Sequence, residues 1–258
     1  VRFTQANNLI HLDVRQHAGD YITNQFDINT NGIITTPTNI MLFNLNAETL
    51  IARILVLVVA FTIHEFAHAW TATQFGDDTP RNNGRLTLNP LAHLDPMGSI
   101  VLLFSGFGWA KPVPVNPFAL EMRSRYAFMW VALAGPMSNL LLAVAAAVPV
   151  QLGLHNTIGN FSIYPGIFPP LSMIMFEFIY INLILMVFNL IPLAPLDGEK
   201  ILYHILPVNL RSPMDLIRPY GPMLLILLII AGPYIGFNFF GAILGPPVQI
   251  LFSVLTGF

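Results

Sequence analysis

Residues 50–70 read LIARILVLVVAFTIHEFAHAW, an apolar run with one arginine near its start and its other ionisable side chains crowded into its last turns. As a helix rising about 1.5 Å per residue, it is long enough to cross the roughly 30 Å of a bilayer's hydrocarbon core. Within hydrocarbon every backbone polar group must be satisfied internally, so such a run commits its surroundings to helices. Composition points the same way: 55% of the residues are hydrophobic and 9% charged, against roughly 25% charged in an average soluble domain. The expected fold is therefore an all-α polytopic membrane protein, not a soluble globule.

Further apolar stretches extend this layout. Clear spans are expected at about 126–152 and 171–193, and less sharply bounded ones, interrupted by Gly and Pro, at about 222–234 and 239–258, giving about five transmembrane helices. Residues 97–110 are too few to cross. With Gly98, Gly106 and Gly108 and the following KPVPVNP, they predict a re-entrant or extended segment near 97–117, where Pro112, Pro114 and Pro117 exclude regular helix. Residues 1–40 are polar and read as an N-terminal arm. The chain opens on a valine and its apolar part on Met41, so the essential part is expected to begin near Met41. The division is then an arm at 1–40, a core at 41–220 and C-terminal helices at 221–258.

Charge placement orients these spans. Arg81, Arg85, Lys111, Arg123 and Arg125 lie between the first two spans, Lys200, Arg211 and Arg218 follow the third, and residues 153–170 hold no Lys or Arg. The positive-inside rule puts 76–125 and 197–218 in the cytoplasm. This parity requires that 97–110 not cross. It brings the ends of the first and third spans to one depth, on the cytoplasmic side.

Chemistry concentrates at that depth. His64-Glu65-Phe66-Ala67-His68 is an H-E-x-x-H pattern: on a helix the two histidines share a face and can reach one metal, with Glu65 beside them as general base. The bland alternative is a pair of hydrogen-bonded bundle histidines, but three ionisable groups at the end of a span are costly without a task. A catalytic zinc site generally takes three protein ligands and keeps one position open. With no cysteine in the chain, the third must be His, Asp or Glu. Asp197, in NLIPLAPLDGEK, is level with the histidines and follows Pro192 and Pro195; an ordinary Asp-Gly turn is its bland reading. His93 with Asp95, and Asp77 with Asp78, lie in loops where such side chains bond nearby backbone. They are not read as a second metal site. His155 and His204 read as interfacial or exposed.

HEFAH and PLDG, together with GRLTLNPLAHLDPMG at 84–98, WAKPVPVNP at 109–117 and AGPMSN at 134–139, resemble the site-2 protease family, in its compact bacterial and archaeal branch. The likeness covers roughly residues 41–220. It implies an intramembrane zinc endopeptidase that cleaves a transmembrane segment by metal-activated water. One Zn2+ would be held by His64, His68 and Asp197, with Glu65 as catalytic base. Asn139 is similar to a residue that holds the substrate backbone or oxyanion, with helix packing beside Gly135 as its alternative. Asn189 resembles the Asn that opens the family's Asp-Gly motif, orienting the ligand region or the substrate or else capping the broken helix. The resemblance implies a bacterial or archaeal cell membrane and, as partners, the lipid bilayer and a membrane-protein substrate helix. A complex partner or homo-oligomer is left open.

The loops between spans are too short for a PDZ or CBS domain of the kind inserted in larger relatives. Net charge is −2, which gives no basic face for nucleic acid. Two other readings remain at this level. A non-catalytic protease-fold subunit of a larger assembly has no need of Glu65, and a transporter would carry paired broken helices in matching halves, which are not evident.

Overall fold

The computed structural model describes residues 27–28, 34–35, 47–105, 108–157, 161–163, 167–231 and 240–257. Most of the 1–40 arm and parts of the last two expected spans therefore lie outside the described residues. Two short strands, β1 (Asp27–Ile28) and β2 (Ile34–Thr35), pair antiparallel. All else of substance is helical: α1 (Ala47–Gln74), α2 (Pro96–Ser105), α3 (Pro117–Arg123), α4 (Ala127–Gln151), α5 (Leu171–Asn189), α6 (Asp197–Ile205), α7 (Gly221–Ala231) and α8 (Gly245–Thr256). Among the described residues α1, α4 and α5 are long and apolar enough to cross a membrane. The chain is an integral membrane protein built on them. A shorter apolar helical stretch runs over Gly241–Thr256.

The three long helices pack against one another. The α1 face turned inward is small, with Ala52, Ala60, Ala69 and Ala72 fully buried, and Ala72 meets Ala127 and Val131 of α4. Small side chains let helix backbones approach closely where lipid offers no hydrophobic drive to associate. Leu55, Val59, Leu141, Val144 and Val148 point outward, as a lipid-facing surface requires. Toward the other side, Ala143, Ala147 and Val150 of α4, Ile179, Leu183 and Met186 of α5, and Val248 and Phe252 of α8 form one apolar core. The C-terminal helix thus closes the bundle behind α4 and α5.

Between α1 and α4 no helix among the described residues is long enough to cross. At ten residues, α2 is only about 15 Å long, half a bilayer's hydrocarbon. Over 97–105, where a re-entrant or extended segment was expected, the residues are helical and not extended, which satisfies their backbone locally. Extended chain begins after it: residues 111–116 carry no helix or turn, and Ala110 bridges Leu94 antiparallel. Pro117 does not exclude helix, as the sequence reading held; it starts one. Asn116 caps α3, its side chain accepting from the N–H of Phe118 and Ala119, and proline at the first helical position loses only an N–H that would be unpaired anyway.

The long third span ends early. Helix α5 stops at Asn189 rather than near 193, and residues 190–196 turn the chain into α6, whose first residue is Asp197. Asp197-Gly198 is accordingly the first turn of a helix and not a free turn. A Cβ at Gly198 would lie 2.2 Å from the Leu190 carbonyl oxygen, so only glycine lets α6 start so close to the chain leaving α5.

Candidate metal centre

Helix α1 presents His64 and His68 one turn apart, α6 brings Asp197 to them, and all three are buried. His64 Nε2 and His68 Nε2 are 3.1 Å apart. Each lies 3.2 Å from Asp197 Oδ2. The ring planes are nearly perpendicular, at 84°. With metal bonds of about 2.0–2.1 Å, the edge of a tetrahedral zinc face is about 3.3 Å, close to these separations.

The donor chemistry fits as well. His68 Nδ1–H donates to the Val131 carbonyl at 2.7 Å and His64 Nδ1–H to Asn139 Oδ1 at 2.5 Å. A neutral imidazole with its proton on Nδ1 has a bare lone pair on Nε2. Two such lone pairs and a carboxylate oxygen then converge with no proton among them, an arrangement that repels itself unless a cation is shared. These residues fit a zinc ion.

Around the triangle, each neighbour has a definite part. A Cβ on Gly135 of α4 would fall 2.4 Å from His68 Nε2 and 2.5 Å from His64 Nε2, so glycine is what keeps the space beside the ligand atoms open. The second oxygen of Asp197, Oδ1, accepts from Lys200 Nζ at 3.1 Å. Glu65 is buried, and its Oε2 accepts from the N–H of Val113 at 3.2 Å. Among the described residues Glu65 Oε1 takes no hydrogen bond.

The Val113 segment is clamped from behind. Arg85 is buried and donates to the carbonyls of Ala92, Lys111 and Pro112. Burial pushes its guanidinium below the usual value, and the charge of Glu65 works against that shift. Asp77 Oδ2 accepts from Asn116 N–H at 2.6 Å, and Lys111 N–H donates to the His93 carbonyl at 2.8 Å. Residues 111–116 are thereby fixed against the end of α1.

Of the residues singled out from sequence, His64, His68 and Asp197 are together, and Glu65 is beside them. Asn139 is not set in front of the site: fully buried, it lies behind His64, with one end of its amide on the imidazole and the other on Asn182 Oδ1 at 2.9 Å. Asn189 is in the last turn of α5 and donates to its own helix, at the Leu185 carbonyl, 3.0 Å away. His93 donates to the Thr87 carbonyl and Asp95 accepts from Gly98 N–H, the local backbone bonding expected of them. His155 is buried, contrary to the interfacial or exposed reading; its Nδ1–H donates to the Val150 carbonyl at the end of α4, and its ring meets Phe176 edge-on.

Sequence reasoning passed over Asn182 and Arg85, and it weighed Gly135 only as packing. For Gly135 the signal was present in AGPMSN, since glycine in mid-helix needs a reason. Asn182 was legible as a polar residue inside an apolar span.

Comparison with known proteins gives a consistent picture. A Bacillus subtilis (strain 168) protein named "Putative zinc metalloprotease YwhC" is 41% identical over 184 residues, 70% of this chain and 82% of its own. "Putative zinc metalloprotease Rip2" of Mycolicibacterium smegmatis is 29% identical over 183 residues, 67% of this chain and 64% of its own. The Rip2 of Mycobacterium tuberculosis (strain H37Rv) is 29% identical over 197 residues, 72% of this chain and 69% of its own. No family model and no solved structure matches the chain.

Proposed function

This chain belongs to the site-2 protease family and is a zinc metalloprotease, and from that premise we propose that it cleaves a peptide bond within a transmembrane segment of another membrane protein. The observation that carries the reading is the triangle of three acceptor atoms, 3.1–3.2 Å on each edge, at the end of a membrane-length helix, with the Glu65 carboxylate on the same turn. His64, His68 and Asp197 hold the zinc. When bound, it supplies Lewis acidity, which acidifies water and polarises a carbonyl. Glu65, with Oε1 unengaged, takes the proton of the attacking water and returns it to the leaving amine. Oε2 stays anchored on Val113.

A peptide bond in an intact helix is shielded by its own hydrogen bonds, so the substrate must be locally unwound. Residues 111–116 suit an unwound chain. The residues before each proline are held to extended conformations, and N–H and C=O of alternate residues share a side. Val113 N–H faces Glu65, and among the described residues the Val113 carbonyl and both backbone groups of Val115 take no hydrogen bond. These supply an edge for an extended substrate strand beside the base. Asn189, in the last turn of α5, is assigned to orienting the ligand region or the substrate.

The reading extends to topology. Five spans, with α1, α4 and α5 followed by two near 222–234 and 239–258, and α2 not crossing, put the metal end of the bundle toward the cytoplasm by the positive-inside rule.

The test is zinc content together with cleavage of a model single-span substrate in detergent. Glu65→Gln is expected to keep zinc and lose about 10²–10⁴-fold in cleavage, while Asp197→Ala loses zinc. Cleavage that survives Glu65→Gln would remove Glu65 as base, and wild-type protein that takes up no zinc would favour a non-catalytic subunit.

A further inference from the structure

We propose that Asn182 is a positioning residue for the metal centre: acting through Asn139, it locks His64 in the tautomer that leaves Nε2 bare. The inference rests on the reading of His64, His68 and Asp197 as zinc ligands, and reaches two residues behind them.

An imidazole binds a metal through the nitrogen that carries no hydrogen, so neutral His64 must keep its proton on Nδ1. Its Nδ1 partner does not enforce this unaided. A side-chain amide can present either its oxygen or its amino group, depending on which way it is turned. Were the Asn139 amino group to face His64, the proton would move to Nε2 and point at His68 Nε2 and Asp197 Oδ2, into the metal position.

The restraint lies behind Asn139. Its Nδ2 donates to Asn182 Oδ1 at 2.9 Å, and Asn182 Nδ2 donates to the Phe178 carbonyl at 2.8 Å. A main-chain carbonyl only accepts. The amino end of Asn182 must therefore face Phe178, which turns its oxygen to Asn139. That in turn directs the Asn139 amino group to Asn182 and its oxygen to His64. Polarity passes from one backbone acceptor through two amides to the imidazole, each orientation dictated by the one before. Asn139 and Asn182 are both 0% exposed, so bulk water does not replace either partner.

His68 obtains the same restraint in one step, from the Val131 carbonyl. One imidazole is thus fixed directly by α4 backbone and the other by α5 backbone through a relay. The relay joins α1, α4 and α5, so the orientation of a ligand on the first long helix depends on a residue in the third.

The full chain, labelled with 15N-histidine, purified in detergent and stripped of metal, reports the tautomer directly, with His64 resonances assigned by difference against His64→Gln. Wild type is expected to show the Nδ1–H form. Asn182→Leu, which frees the Asn139 amide to turn, is expected to lose it. Asn182→Asp is expected to regain it, because a neutral buried carboxyl offers an acceptor to Asn139 and an O–H donor to Phe178 in the same places. Zinc affinity by chelator competition should follow: roughly 10–100-fold weaker in Asn182→Leu and close to wild type in Asn182→Asp. An unchanged tautomer and affinity in Asn182→Leu overturns the proposal. So does equal loss in both variants with a matching fall in unfolding temperature, which marks packing alone. Wild-type protein that holds the Nδ1–H form yet takes up no zinc overturns the ligand assignment instead, which keeps the two readings separable.

Discussion

Helices α1 and α5, with the turn and helix that follow α5, bring polar side chains together twice, once at each end of the bundle, and the two meetings are built differently. At the end away from the metal residues, Arg53 Nε donates to Glu177 Oε1 at 3.3 Å, with Glu177 fully buried. The cation there is part of the chain. At the other end two imidazoles and the Oδ2 of Asp197 converge, and among the described residues the one chain cation in contact, Lys200, addresses the opposite carboxylate oxygen. A buried anion must be paired or coordinate a metal. Where the chain supplies the pair, the cluster carries its own counter-charge and serves to register two helices. Where it supplies acceptors alone, the cluster is a site.

Removing the metal should break this contrast most sharply. Chelation of wild-type protein is expected to take cleavage to background, with recovery on adding zinc and none on adding magnesium, which prefers six oxygen ligands. Loss of the ion should leave the Arg53 end untouched, so a metal-free protein whose whole bundle unfolds would refute the independence of the two ends. Next in size is Gly135→Ala. Its methyl would lie 2.4–2.5 Å from both Nε2 atoms, so zinc binding is expected to fall to the level of Asp197→Ala while the helical content by circular dichroism holds. Zinc retained in Gly135→Ala would mean that α4 can retreat from α1.

The far end should answer in stability and not in chemistry. Breaking a buried pair by removing one partner costs about 3 kcal/mol or more. Glu177→Ala is thus expected to lower the unfolding temperature in detergent clearly, with zinc affinity unchanged in the protein that remains folded. Replacing both residues, Arg53→Met with Glu177→Met, should recover much of the loss, because neither charge is then left buried alone. A zinc affinity that falls in Glu177→Ala and returns in the double variant would show that the pair sets the register of the ligands, and would merge the two ends into one device.

The metal end was legible in the sequence because its geometry is local. His64, Glu65 and His68 share one helical turn, and charge placement with the absence of cysteine made Asp197 a candidate, which the family resemblance singled out from an ordinary Asp-Gly turn. The three long helices were legible for the same reason, through unbroken apolar runs. What escaped depends on partners distant in sequence. Glu177 finds Arg53 124 positions away and Asn139 finds Asn182 43 positions away, and no spacing rule links them. The same holds for Arg85, whose acceptors are main-chain carbonyls up to 27 residues on. Carbonyl positions leave no mark in a sequence. Pro117 was misjudged because proline excludes a helix interior but favours a helix start, and only the Asn116 cap tells the two apart.

The smallest effect is expected at Arg85, and it asks how far the metal end extends. Arg85 holds the carbonyls of Ala92, Lys111 and Pro112, and through them the stretch whose Val113 N–H anchors Glu65. Lysine keeps the charge but has no planar fork, so Arg85→Lys gives up at least one of these contacts. A lost hydrogen bond is worth about 1 kcal/mol, or about fivefold. If residues 111–116 act as an edge for the substrate strand, that loss should appear in KM with kcat little changed, since Glu65 and the zinc ligands keep their places. Zinc affinity should not move. A fall in kcat with KM constant would instead show that the Val113 anchor serves to hold the base, which would draw the boundary of the metal end around the 111–116 segment as well.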